Sequence, residues 1–131
     1  MKNDKRPINV GITDLLVFRW PITALASISH RVAGVALFVG IALVLYALQM
    51  SLSSEESFNN LKAVITSSPI GMIVTIGLLA ALAFHFVAGI KHLLLDLGVG
   101  ESLEGGTFAA KVVFLFSAVL ILLAALWVIQ A

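Results

Sequence analysis

Residues 112–131 read VVFLFSAVLILLAALWVIQA, twenty consecutive positions without one charged side chain. At 1.5 Å of rise per residue, a helix of that length covers the roughly 30 Å hydrocarbon core of a bilayer. Working back through the chain, residues 32–50 and 63–84 are equally free of charged side chains. Composition agrees: of 131 residues, 60% are hydrophobic and 11% charged, whereas soluble domains carry about 25% charged residues. So few charges cannot cover a water-facing surface. The sequence predicts an all-α membrane protein with three transmembrane helices, over about residues 22–50, 70–95 and 112–129, in a single anchor domain of residues 1–131.

The connections carry their own signals. Ser53 and Glu56 have the S-x-x-E spacing of a capping box. Phe58, Leu61 and Ile65 follow at helical spacing, which predicts a short surface helix ending before Pro69. The second link, residues 98–107, is rich in glycine and acid and reads as a loop. Lys2, Lys5, Arg6 and Arg19 precede the first span, Lys91 and Lys111 flank the second link, and only Lys62 lies in the first. By the positive-inside rule the N-terminus and second link are cytoplasmic, and the first link and C-terminus face outward. Trp20 and Trp127 then fall near opposite interfaces, where indoles are favoured.

The first apolar run starts too late and is too long for a signal peptide, and Asp4 and Asp14 argue against an organelle transit peptide. The expected location is the bacterial inner (cytoplasmic) membrane, among lipid and other membrane proteins and with no nucleic acid. The chain has no cysteine. That excludes disulfides, thiolate zinc sites, iron–sulfur ligation by this chain and the attachment of c-type haem.

Several polar residues stand where lipid should be. The first span carries Ser27, His30 and Arg31; the second carries His85, Lys91, His92 and Asp96. A charged group near mid-membrane costs at least a few kcal/mol unless it faces protein or water. Ser27, His30, Arg31 and Gly34 follow an i, i+3, i+4, i+7 pattern, and His85, Gly89, His92 and Asp96 follow i, i+4, i+7, i+11. Each set is one helix face, and each includes a glycine that lets another group come close. Measured along the helices, Arg31 is about 15 Å inward of Pro21 and His85 about 16 Å inward of Asp96. The two stripes should therefore meet at one level. Gly40, Gly71 and Gly77 read as packing positions. Lys91, His92 and Asp96 lie close enough to the interface for snorkelling to satisfy them.

An imidazole deep in a helix bundle, without cysteine, suits axial ligation of a b-type haem, and a nearby Arg and His would neutralise its propionates. His85 has that position, although a lone histidine can equally serve as a hydrogen-bond partner to a neighbouring helix. Within this chain His30 or His92 could supply a second ligand, but His92 is two turns along the same helix and cannot reach the opposite haem face; a partner chain is the more economical source. Ser27 and Arg31, one turn apart, can both donate to a quinone carbonyl, whose growing negative charge a fixed cation stabilises best where water is excluded. The same pair also suits a lipid phosphate.

These residues carry a resemblance. The opening Arg6-Pro7, the stretch Arg19-Trp20-Pro21-Ile22-Thr23, Ser27-x-x-His30-Arg31, the link Ser51-Leu52-Ser53-Ser54 and the motif His85-x-x-x-Gly89-Ile90-Lys91-His92-x-x-x-Asp96-x-Gly98 resemble the cytochrome b556 membrane-anchor subunits of bacterial succinate dehydrogenase (respiratory complex II). The resemblance covers nearly the whole chain. It implies a heteromeric helix bundle, in which a second three-helix anchor pairs with this one. Together they would hold a flavoprotein subunit with FAD and an iron–sulfur subunit with its clusters on the cytoplasmic face. It also implies one haem b between the anchors, with His85 as an axial ligand of the haem iron, His30 and Arg31 beside the propionates, and Ser27 and Arg31 in the quinone site. Electrons from succinate would reach ubiquinone, and no catalytic residue for succinate oxidation would lie on this chain. Lys91 stands where family members usually have arginine, keeping the charge but losing bidentate geometry. Ala33 and Leu95 also depart from the usual pattern.

Three other readings compete: a purely structural anchor without cofactor or quinone contact, the anchor of a fumarate reductase, and a proton-conducting component using His85, His92 and Asp96 as a relay.

Overall fold

The computed structural model describes Gly11 and residues 13–131. Lys2, Asp4, Lys5 and the Arg6-Pro7 pair lie outside the described residues. A 3-10 turn at Asp14–Leu16 precedes four α-helices: α1 (Ile22–Ser53), α2 (Glu55–Ser67), α3 (Pro69–Asp96) and α4 (Leu103–Gln130). There is no strand among the described residues. Helices α1, α3 and α4 are each long and apolar enough to cross a membrane, as the sequence predicts.

Pro21 starts α1. Its φ of −64° and ψ of 149° are extended, and its carbonyl accepts from the amides of Ala24 and Leu25. Just ahead, Trp20 Nε1 donates to the Leu15 carbonyl at 3.0 Å, and its ring meets Phe18 edge-on. Both contacts hold the indole at the helix entrance.

The first link corrects one expectation. Ser53 is not the cap of α2: it is the last residue of α1, and its hydroxyl donates back to the Met50 carbonyl at 2.9 Å. Ser54 caps instead, with extended backbone (φ −166°, ψ 162°) and its Oγ accepting from the Ser57 amide at 3.1 Å. A cap needs non-helical backbone, and only Ser54 has it. The short helix itself stands where its spacing placed it, with Leu61 and Ile65 half-buried against the bundle and Phe58 exposed. Ser68 then caps α3, with Pro69 at its first position.

At the far end of α3 the amide of Gly98 donates to the Leu95 carbonyl and that of Val99 to the Leu94 carbonyl, both at 2.9 Å. This is a Schellman ending, in which Gly98 takes the positive φ (81°) that a side chain resists. The second link is shorter than the predicted 98–107 loop. Ser102 Oγ accepts from the Gly105 amide at 3.0 Å, so α4 begins at Leu103. Gly105, Gly106 and Thr107 are therefore helical, and α4 starts nine residues before the predicted span at 112. The cap and Glu104 in the first turn outweigh the poor helix propensity of two glycines.

Helix α3 packs along both α1 and α4, and α2 lies across the end of the bundle where Trp127 stands, opposite the end that holds Trp20. The most buried side chains are small: Ala26, Ala33, Ala88 and Ala110, with Val113, Ser117 and Val128. That is the composition of helix contacts in lipid, where close backbone approach replaces a hydrophobic driving force. Gly40 accommodates Leu78, and Gly71 lies on the Val64 backbone. Gly77 has nothing within 4 Å, so its expected packing role is not met inside this chain. Large apolar side chains such as Phe38, Tyr46 and Leu122 face outward, as a lipid- or partner-facing surface requires.

Candidate functional site

The two polar stripes meet where α1 crosses α3. Side chains on a helix lean toward its N-terminus, so the residue at i+4 overlies the carbonyl of residue i. Gly34 has no side chain to cover the His30 carbonyl. His85 enters that gap: its Nδ1 lies 3.1 Å from the His30 backbone oxygen. A Cβ added at Gly34 would stand 2.9 Å from His85 Cε1, so the approach depends on glycine. A carbonyl only accepts, so Nδ1 carries the ring proton and donates it, and the neutral ring keeps its lone pair on Nε2. Among the described residues, His85 Nε2 makes no hydrogen bond.

His30 is the centre of a row of imidazoles. Its ring stacks on His85 at 4.2 Å between centroids with 20° between planes, and it meets His92 at 5.0 Å and 35°. His85 and His92 are about 10.5 Å apart along α3, and the ring from α1 fills the space between them. His30 Nε2 is enclosed and without a hydrogen-bond partner. It lies 3.9 Å from where a Cβ at Gly89 would stand. Both stripe glycines thus face an imidazole of the other helix. The expectation that the stripes share one level is met through His30, the neighbour of Arg31.

Arg31 is turned about 100° from His30 on the same helix and is exposed. Its Nη2 donates to Ser27 Oγ at 3.2 Å. With its oxygen accepting from the guanidinium, the Ser27 hydroxyl keeps its own proton to donate elsewhere, and Arg31 keeps further N–H donors. Lys91 and His92 are half-buried and Asp96 is exposed.

No group of three or more His, Asp or Glu side chains converges to hold a bare metal ion among the described residues. His30 lies stacked on His85 and tilted against His92, ring beside ring. An imidazole oriented through its other nitrogen, as His85 is, suits instead a metal that arrives already held by a macrocycle. The larger clefts lie elsewhere. One of about 540 Å³ separates α3 from α4, and one of about 690 Å³ lies between α1, α2 and α3. Neither is lined by Ser27, His30, Arg31 or His85. The histidine row and the pair of Ser27 and Arg31 thus lie outside both clefts.

Sequence spacing identified every side chain named above, but not the His30 carbonyl, since a backbone acceptor has no letter of its own. The glycine four residues beyond it was the available signal.

Comparison with known proteins gives a consistent result. The profile described as "Succinate dehydrogenase/Fumarate reductase transmembrane subunit" matches residues 2–124. A "Succinate dehydrogenase cytochrome b556 subunit" of Coxiella burnetii is 38% identical over 96% of this chain and 98% of its own length. The protein of the same name in Paracoccus denitrificans is 34% identical over 83% of each chain. The "Succinate dehydrogenase cytochrome b560 subunit, mitochondrial" of Sus scrofa is 30% identical over 86% of this chain and 65% of its own length.

Proposed function

The chain belongs to the succinate dehydrogenase/fumarate reductase transmembrane-subunit family, and on that premise we propose that, as a membrane-anchor subunit of succinate dehydrogenase, it binds one face of a haem b through His85 and forms part of a ubiquinone site through Ser27 and Arg31. The observation that carries this reading is the His85 Nδ1 bond to the His30 carbonyl. A metal-binding imidazole is normally oriented by a hydrogen bond from its other nitrogen, which fixes the tautomer and raises ligand basicity. His85 has that arrangement, with Nε2 left over for iron. His30 and Arg31 would stand beside the haem propionates, and His30 Nε2 has no hydrogen-bond partner among the described residues.

When bound, the haem supplies a one-electron redox centre tuned by its axial ligands and the burial around it. The chain's own residues do the rest. Gly34 and the His30 carbonyl fix the His85 ring. Arg31 holds Ser27, whose hydroxyl donates to a quinone carbonyl oxygen. As that oxygen gains electrons, the guanidinium stabilises the growing negative charge in a site shielded from water. The remaining parts would lie on other chains: a second membrane anchor that also holds the haem, an iron–sulfur subunit, and a flavoprotein carrying FAD. The single domain sits in the bacterial inner membrane with its N-terminus cytoplasmic.

A reduced-minus-oxidised optical spectrum of the detergent-solubilised complex tests the assignment. A b-type α band present in the wild type, lost or shifted in His85→Ala and kept in His92→Ala is the expected result. An unchanged band in His85→Ala would take His85 off the iron. With no haem band in any intact preparation, the purely structural anchor becomes the better reading.

A further inference from the structure

We propose that the cleft between α3 and α4 holds an acyl chain of an anionic phospholipid, whose phosphate meets Lys91. Its walls are apolar, built by Val87, Leu94, Phe108, Val112 and Phe116 among others, and Lys91 is the one charged side chain in the lining. Lys91 is half-buried in that wall. Glu101 and Glu104 are also near this end of the bundle, but both are exposed, where water and salt weaken their field. A phosphate at Lys91 would meet the one charged side chain of the lining, while the chain below it covers the apolar walls.

Two geometric facts choose lipid over protein. At 100° per residue, the α3 positions Val87, Ile90 and Leu94 stand about 140–180° around the helix from His85. The partner that completes the histidine site approaches the opposite face of α3, leaving this one to the bilayer. The cleft also has the right length. From Gly105 to Leu120 along α4 it runs about 22 Å, close to one leaflet with its headgroup layer, half of the ~40–45 Å total. The leaflet is the one bordering the second link, which positive-inside reasoning makes cytoplasmic. The inference rests on the proposed function, which sets a partner on the histidine face of α3, but not on His85 ligating iron.

The test uses the intact complex with Phe108→benzoylphenylalanine, which places a photo-crosslinker at the cleft rim. The complex is exchanged into vesicles of equal phosphatidylglycerol and phosphatidylcholine. Crosslinks should favour phosphatidylglycerol about fivefold, as the attraction of one lysine for anionic lipid allows. Lys91→Gln should bring the two lipids to parity, and Ala109→Phe, which fills the cleft, should remove most of both crosslinks. Crosslinking to another subunit, or a phosphatidylglycerol preference that survives Lys91→Gln, overturns the proposal. If Ala109→Phe fails to assemble, the other two measurements still decide. None of them reads haem absorbance, so the result stands apart from that of His85→Ala.

Discussion

A missing side chain at position 34 governs the site more than any charged group does. Gly34→Ala would place a methyl 2.9 Å from His85 Cε1, and the ring has to yield. Overpacking of this kind costs about 1–3 kcal/mol. The α band should weaken or shift and the melting temperature of the complex should fall; a spectrum and Tm equal to wild type would contradict the contact. Ser27→Ala separates the two functions. Loss of one neutral hydrogen bond, about 1 kcal/mol, should lower kcat/KM for ubiquinone roughly five- to tenfold. The haem band and succinate oxidation with an artificial acceptor should not change. At this scale the sequence was informative about side chains, because helix periodicity puts Ser27, His30 and Arg31 on one face and His85, Gly89 and His92 on another. The stacking of His30 between two α3 rings was not legible, since it depends on how two helices are rotated against each other.

Helix ends were the least legible elements. Two adjacent serines precede α2, and the S-x-x-E spacing favours Ser53, yet α1 runs on through Ser53 and leaves the cap to Ser54. Sequence spacing cannot say where the preceding helix stops. Ser54→Ala should therefore cost α2 about 1 kcal/mol, which raises the hydrogen-exchange rate of its amides about fivefold. Ser53→Ala should leave those amides unchanged, and the reverse order would restore the original cap assignment. The early start of α4 was missed for a related reason. Counting apolar residues finds the part of a helix that lies in lipid, whereas Ser102 and Glu104 extend it through the interface. The spans themselves were plain, because the lack of charge over twenty residues admits few other structures.

For the whole molecule, orientation is the property open to direct test. A membrane-impermeant amine reagent should label Lys62 on intact spheroplasts, and Lys111 only after the membrane is opened. Labelling of Lys111 first would invert the topology. The three spans and the meeting of the two stripes were readable from sequence; the α3–α4 cleft was not, as it exists only once two helices pack. One consequence concerns the chain before it meets its partners. Arg31 is exposed on the flank of a lipid-facing helix, and a guanidinium at that depth is unfavourable by at least a few kcal/mol in hydrocarbon. The solitary subunit therefore carries a standing incentive to assemble. On the proposed reading, the residue that serves the quinone also marks an orphan chain as unfinished until other subunits cover it.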